Sequence, residues 1–289
     1  MENDLIYTTL ISAADLKEHI GRRGWRIFDC RCSANDPSVG KKLYQEGHIP
    51  GARHADLDHV LAAPRGPYTG RHPLPRPEML AAWLGAEGVS EQTQMVAYDD
   101  TGGAFAARLW WLARWLGHDA VAVLDGGIQA WRAAGGKRKR GNAAAPEAAL
   151  FNPREPLVKM VDVREVARIV ALRHSRRLVD ARTRVRYLGE HEPIDPVAGH
   201  IPGARNRPFG DNLDAKGKFL LPGQLRTRFS TLARDPHDVI HYCGSGVTAC
   251  HNVLAMEHAG FGGSRLYPGS WSEWILDPQR PVERGAPET

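Results

Sequence analysis

Cys243 stands between an apolar run, Asp238–Tyr242, and the segment Gly244-Ser245-Gly246-Val247-Thr248-Ala249, after which a helical pattern begins. A residue at the C-terminal end of a strand sits on the edge of an α/β sheet where ligands bind. Two glycines directly after it let the backbone curl so that several N–H groups point inward, and such a nest at a helix N-terminus attracts anions. A thiolate in that nest is stabilised, so the thiol pKa falls and the sulfur becomes a better nucleophile. The competing local reading is a buried structural cysteine at a strand end. Two other cysteine chemistries do not fit. The sixth residue after Cys243 is Ala249, where a phosphatase loop needs an arginine to clamp phosphate. No second cysteine follows at the spacing of a thioredoxin-type pair.

The elements that must position this cysteine occur twice. Gly47-His48-Ile49-Pro50-Gly51-Ala52-Arg53 recurs word for word as Gly199 to Arg205, an offset of 152 residues. Ile27-Phe28-Asp29-Cys30-Arg31 matches Leu178-Val179-Asp180-Ala181-Arg182, and Val96-Ala97-Tyr98-Asp99 matches Ile240-His241-Tyr242-Cys243. Asp125 to Trp131 matches Pro268 to Trp274. Ordered matches over so long a period imply two copies of one domain rather than a solenoid. The boundary falls in the basic and Ala/Pro-rich stretch around Gly136 to Pro156, and the copies are assigned to residues 1–140 and 160–289, with a linker at 141–159. Asp99 takes the first copy's position for Cys243, so that position offers a carboxylate and no thiol. The offset shrinks by eight residues after the GHIPGAR segment, which places an insertion, including Gly66 to Pro73, in the first copy. That Gly- and Pro-rich chain is loop chemistry.

Within each copy short apolar runs alternate with helical patterns. Strands are expected at Trp25–Cys30, Gln94–Tyr98, Ala120–Leu124, Arg177–Ala181, Asp238–Tyr242 and Arg265–Tyr267. Helices are expected at Pro77–Leu84, Ala104–Leu116, Leu225–Ala233 and Val247–His258. Such alternation predicts an α/β fold, with a parallel sheet in each copy flanked by helices on both faces. Trp110, Trp111 and Trp115 recur at helical spacing and read as core. His48 and His200 occupy matched turns and read as structural, as do Arg31 and Arg182.

Composition narrows the class further. The chain has 289 residues, a net charge of +5 and four cysteines, which is not a disulfide scaffold. No apolar stretch reaches the ~18 residues of a membrane span. The N-terminus, Met1-Glu2-Asn3-Asp4, lacks the basic region of a secretory leader, so a cytoplasmic protein is expected. Lys137 to Arg140 is a run of four basic residues with no interleaved aromatics, which reads as a solvated linker and not a nucleic-acid or membrane surface. Cys30 and Cys32 alone make a poor metal signature and read as packing at a strand end. Cys250 reads as a core residue.

The segment Cys-Gly-Ser-Gly-Val-Thr-Ala resembles the active loop of the tandem-rhodanese sulfurtransferases, in particular the 3-mercaptopyruvate sulfurtransferases. The resemblance covers nearly the whole chain, and it implies that the first copy, with Asp99 in place of the cysteine, is catalytically degenerate. It implies a Cys243 persulfide that carries sulfur from a small donor to cyanide, a thiol or reduced thioredoxin, with no metal and no organic cofactor. It implies that Gly244, Gly246, Val247 and Thr248 form the substrate-binding loop. It also implies a relay of Asp58, His72 and Ser245, the first two from the first copy, that serves the departing enolate. Arg186 matches an arginine that holds the substrate carboxylate. A second arginine of the family falls in a segment that here reads Glu192-Pro193-Ile194, without the cation. The loop positions Gly244 and Ser245 are neutral where thiosulfate-preferring relatives carry basic residues, which favours the monocarboxylate 3-mercaptopyruvate over the dianion thiosulfate. Thiosulfate as donor, and a carrier module that relays persulfide without turnover, are the alternatives.

Overall fold

The computed structural model describes residues 6–33, 36, 38–174 and 177–286. The leader expectation, which rests on Met1 to Asp4, lies outside them. The chain forms two compact units. The first comprises Met1–Ala63, Pro75–Leu157 and Lys216–Lys218, and the second Pro64–Leu74, Val158–Ala215 and Phe219–Thr289. The inserted segment of the first copy therefore packs with the second unit.

The first unit has strands β1 (Leu10–Ile11), β2 (Trp25–Asp29), β3 (Arg53–His54), β4 (Gln94–Tyr98) and β5 (Val121–Leu124). They form a sheet in the order β1-β5-β4-β2-β3, with every pair parallel. Helices α1 (Ala13–His19), α2 (Ser38–Glu46), α3 (Pro77–Ala86), α4 (Ala106–Trp115) and α5 (Gly127–Ala133) flank it. The second unit repeats the plan. Strands β6 (Lys159–Met160), β7 (Leu178–Asp180), β8 (Arg205–Asn206), β9 (Ile240–Tyr242) and β10 (Arg265–Leu266) run in the order β6-β10-β9-β7-β8, again all parallel. Its helices are α6 (Val163–Ala171), α7 (Arg184–Leu188), α8 (Pro222–Ser230), α9 (Ala249–His258) and α10 (Ser270–Trp274). This is the expected α/β architecture in both copies.

The central strands β4 and β9 are buried along their whole length, as strands covered on both faces must be. Ile27, Val96, Ala122 and Leu124 form one core with Ile128 and Trp131 of α5. Leu178, Ile240 and Tyr242 form its counterpart with Trp271 and Trp274 of α10. Trp110 and Trp111 are fully buried on α4.

The repeated GHIPGAR turn leads into β3 and β8. Gly51 and Gly203 take left-handed φ values of 81° and 71°, which a side chain would strain. His48 Nδ1 lies 2.9 Å from the Tyr44 carbonyl and stacks on that ring, and His200 does the same with Tyr187 at 2.8 Å. Both histidines are therefore structural. Each turn is tied to its sheet by a buried fork. Arg31 donates to Asp29 and to the Gly47 carbonyl, and Arg182 donates to Asp180 and to the Gly199 carbonyl. These arginines hold the fold and are occupied by it.

Candidate active site

The sharp exit from β9 is built around Cys243. Its amide donates to Ser270 Oγ at 3.1 Å, and its carbonyl accepts from the Trp271 amide at 3.0 Å. The Gly244 carbonyl accepts from the Ser272 amide at 2.9 Å. Gly246 then turns the chain with φ +79°, and an ideal Cβ there would lie 2.1 Å from the Pro268 carbonyl oxygen. Only glycine fits, so the second glycine of the motif is a steric requirement. Ser270 itself sits at φ 54°, a left-handed value for a residue with a side chain, held by its bond to the Tyr267 carbonyl at 2.9 Å.

The loop delivers donors to the sulfur. The Gly246 amide lies 3.1 Å and the Ser245 amide 3.5 Å from Cys243 Sγ. Burial, at 2% exposure, pushes the thiol pKa up. The Thr248 hydroxyl and the amides of Ser245, Ala249 and Gly246 pull it down and prevail, leaving it below the ordinary cysteine value. Of the loop residues singled out in the sequence, Thr248 acts through its hydroxyl. Gly244 acts by lacking a side chain, and Val247 is buried, with its carbonyl accepting from the Cys250 amide.

His72 Nδ1 lies 2.8 Å from Ser245 Oγ, so two members of the expected relay meet. They meet within the second unit, because the 64–74 segment belongs to it. The close approach depends on Gly70, whose Cβ would lie 2.5 Å from the Gly269 carbonyl oxygen. The next amide, that of Arg71, donates to Ser272 Oγ at 3.0 Å. Asp58 belongs to the first unit, in a turn where Asp56 accepts from the amides of Asp58 and His59.

Arg186 is anchored by acids. Its Nε and Nη2 donate to Glu192 at 2.8–3.1 Å, and Nη2 also reaches Asp195 at 3.1 Å. Glu192 in turn accepts from the Ile194 and Asp195 amides and pairs with Arg182. Ile194 is 45% exposed and brings no charge. The sequence reading missed Arg71, which pairs with Asp195 from the inserted segment and comes up against Gly244. The place of Arg71 next to His72 in the inserted loop marks its neighbourhood but not its partner, which lies 124 residues further on. The pairing was obscured because two residues far apart in the chain share one carboxylate. The neutral loop is thus not a neutral site.

The other cysteines do not resemble Cys243. Burial, reinforced by Asp99 and other acids, raises the thiols of Cys30 and Cys32 well out of the reactive range. Cys250 is buried and donates to the Gly246 carbonyl at 3.3 Å. In the first unit Asp99 fills the matching nest. Its Oδ1 accepts from Thr101 and Gly103 and its Oδ2 from Phe105 and Ala106, all at 2.8–2.9 Å. Among the described residues no group of three or more His, Cys, Asp or Glu side chains could hold a metal ion, and no helix is long and apolar enough to cross a membrane.

A tandem α/β protein with a cysteine sulfur in an amide nest in its second copy defines the class, and comparison with known proteins supports it. The rhodanese-like domain family matches residues 12–134 and 154–277. The chain belongs to the tandem-rhodanese family of sulfurtransferases and is an enzyme of that class. It is 48% identical to the "Probable 3-mercaptopyruvate sulfurtransferase" of Pseudomonas aeruginosa, over 96% of this chain and 98% of that one. It is 34% identical to the thiosulfate sulfurtransferase of Mus musculus, covering 100% of this chain and 97% of that one. The solved 3-mercaptopyruvate sulfurtransferase of Leishmania major superposes with a TM-score of 0.82 at 32% identity, over 94% of this chain and 76% of that one.

Proposed function

We propose that the protein transfers a sulfane sulfur from 3-mercaptopyruvate to a thiophilic acceptor through a persulfide on Cys243. The observation that carries this reading is the buried sulfur under the Gly246 and Ser245 amides, with the His72–Ser245 pair beside it. The Cys243 thiolate attacks the donor's sulfur. An S–S bond forms as the C–S bond breaks, and its electron pair leaves as the enolate of pyruvate. The donor's thiol proton passes to the enolate carbon by way of Ser245 and His72, releasing pyruvate and leaving the persulfide anion. The atoms balance without an external oxidant. The loop donors hold the persulfide charge as they hold the thiolate. Cyanide, a thiol or reduced thioredoxin then takes the outer sulfur and restores the thiolate. We place this reaction in the cytoplasm.

Thiosulfate as donor is the second reading, favoured by the two guanidinium groups, Arg71 and Arg186, beside Gly244. Paired steady-state assays with cyanide test both, using 3-mercaptopyruvate and thiosulfate with Cys243→Ala as control. A higher kcat/KM for 3-mercaptopyruvate supports the proposal. A higher value for thiosulfate makes the second reading correct. Absence of Cys243-dependent turnover with either donor overturns both in favour of a carrier. The role assigned to Asp58 is tested with Asp58→Asn in the same assay.

A further inference from the structure

We propose that the first unit carries a binding site for a small organic anion, whose carboxylate or phosphate group lies at the GHIPGAR turn between the Gly51 amide and the Lys139 ammonium. The site is separate from the sulfur chemistry. The second unit shows what such a turn holds when the chain itself supplies the anion. There Glu283 pairs with His200 as an antiparallel bridge, the His200 amide donating to the Glu283 carbonyl at 2.8 Å and the Glu283 amide to the His200 carbonyl at 3.0 Å. The Glu283 carboxylate accepts from the Gly203 amide at 2.7 Å and lies 3.7 Å from His200 Nε2. The first unit builds the same bridge, with His48 and Lys139 exchanging both backbone hydrogen bonds at 2.9 Å. Two residues further on, the Gly141 amide donates to the Gln45 carbonyl at 2.8 Å, as the Gly285 amide does to Leu188 at 2.9 Å, and both glycines are left-handed. The register is the same, so Lys139 stands where Glu283 stands. In a directly opposed antiparallel pair the two side chains share a face, which puts the lysine beside the His48 ring.

With lysine in that place the turn keeps its donors, adds a cation and loses the carboxylate. Among the described residues the Gly51 amide has no acceptor, and His48 Nε2 has no partner although the residue is 1% exposed. Because His48 Nδ1 donates to the Tyr44 carbonyl, Nε2 adds a donor only in the protonated ring. The Lys139 side chain is exposed and pairs with no carboxylate among the described residues. The turn opens into a cavity of about 480 Å³ within the first unit, lined also by Trp25, Arg22, Arg26, Arg53 and one acid, Glu147. Sites for small molecules run to about 300–1,000 Å³. Arg53 is committed to Glu87, and Arg26 donates to the carbonyls of Glu87 and Trp25. Cations still outnumber acids on this wall, which suits a ligand with more than one acidic group. Trp25, stacked on His19 with centroids 4.1 Å apart, gives the body of the ligand an apolar surface.

The test titrates citrate and, separately, inorganic phosphate into the isotope-labelled full chain, with sodium chloride at matched ionic strength as the reference. The Gly51 amide resonance reads the site, and calorimetry gives the affinity. Citrate or phosphate is expected to move the Gly51 amide saturably, and the tighter of the two assigns the acidic group. The Gly203 amide, which already holds Glu283, is expected to stay in place. Lys139→Gln removes one charge-assisted hydrogen bond and is expected to weaken binding about tenfold. Lys139→Glu supplies the carboxylate that the second unit has, sets a like charge against the ligand, and is expected to weaken binding by about a hundredfold or more. Both substitutions change an exposed side chain and keep the backbone bridge, so the variants are expected to fold. A Gly51 amide that moves no further with citrate or phosphate than with chloride overturns the proposal. So does an affinity that Lys139→Glu leaves intact, which would place the bound anion at other cations of the chain.

Discussion

The balance on the Cys243 sulfur is the part of the site that one atom can upset. Burial pushes the thiol pKa up, and the first opposing group is the Thr248 hydroxyl, at the start of α9. Thr248→Val is nearly isosteric and removes that donor alone. A hydrogen bond to a charged partner contributes about 1.5–3 kcal/mol. Because Thr248 is only half-buried, water can replace part of the loss, and the lower end applies. That corresponds to about a tenfold drop in thiolate population at any pH on the acid side of the titration.

The sign follows from the direction of the shift. Cys243 titrates below the ordinary cysteine value, so the thiolate forms as pH rises through that lowered midpoint. Removing a stabilising donor moves the midpoint up. The variant is therefore slower below it and equal to wild type well above it. The assay is the second-order rate of iodoacetamide alkylation of Cys243 against pH, in wild type, Thr248→Val and Thr248→Ser. Serine keeps the hydroxyl and is expected to follow wild type. Superimposable profiles for wild type and the valine variant would refute the reasoning, as would a serine variant as impaired as valine.

Gly246→Ala should cost at least about 3 kcal/mol in denaturant unfolding, since it adds left-handed strain to a collision with the Pro268 carbonyl, and the soluble fraction should alkylate slowly. Arg182→Met should lower stability by about 3–5 kcal/mol in the same measurement, because it leaves Asp180 and Glu192 buried without their shared cation. Asp99→Asn should destabilise the protein by about 2–3 kcal/mol, since its amide nitrogen would face two backbone donors, and calorimetry should show the fall. His72→Gln should slow single-turnover persulfide formation from 3-mercaptopyruvate by about 10²–10⁴-fold and leave the thiosulfate reaction far less affected, because sulfite leaves without protonation at carbon.

The parts of the fold legible in the sequence are those that bury enough apolar side chain to leave a pattern. β4 spans Gln94–Tyr98 in both the sequence reading and the structure, and α3, α4 and α9 fall within two residues of expectation at each end. The edge strands β1 and β6 are two residues long, too short for any periodicity, and α7 and α10 span only five residues each. α8 begins three residues earlier than expected, at Pro222, where proline suits the first turn. At the site, Cys243 and its glycines were readable because a strand end, a left-handed turn and a helix start each demand particular residues. Ser270 and Arg71 were not. Ser270 reaches the Cys243 amide from 27 residues away, and Arg71 reaches Asp195 across 124. Sequence spacing carries no record of such meetings, whereas Arg31 and Arg182 could be read because they are one arginine of the repeat, present once in each copy.

The repeat also supplies an internal control on what the loop is for. In each unit a central strand ends in an acceptor ringed by backbone amides: the Asp99 carboxylate in the first, the Cys243 sulfur in the second. The residue that closes the turn differs accordingly. Gly127, with φ +56°, sits so that a Cβ would lie 2.3 Å from the Asp99 carbonyl oxygen, while its partner Ser270 tolerates φ 54° because its hydroxyl is bonded to the Cys243 amide and the Tyr267 carbonyl. Four amides, two on each Asp99 oxygen, satisfy the nest permanently with a group that cannot accept sulfur. A thiolate satisfies it only while charged, and a persulfide anion would satisfy it equally well with one atom more. The nest thus selects for an anion, and whether the unit reacts depends on whether that anion is a nucleophile. The structural requirement is met twice, and on the proposed reading the chemistry belongs to the copy in which sulfur meets it.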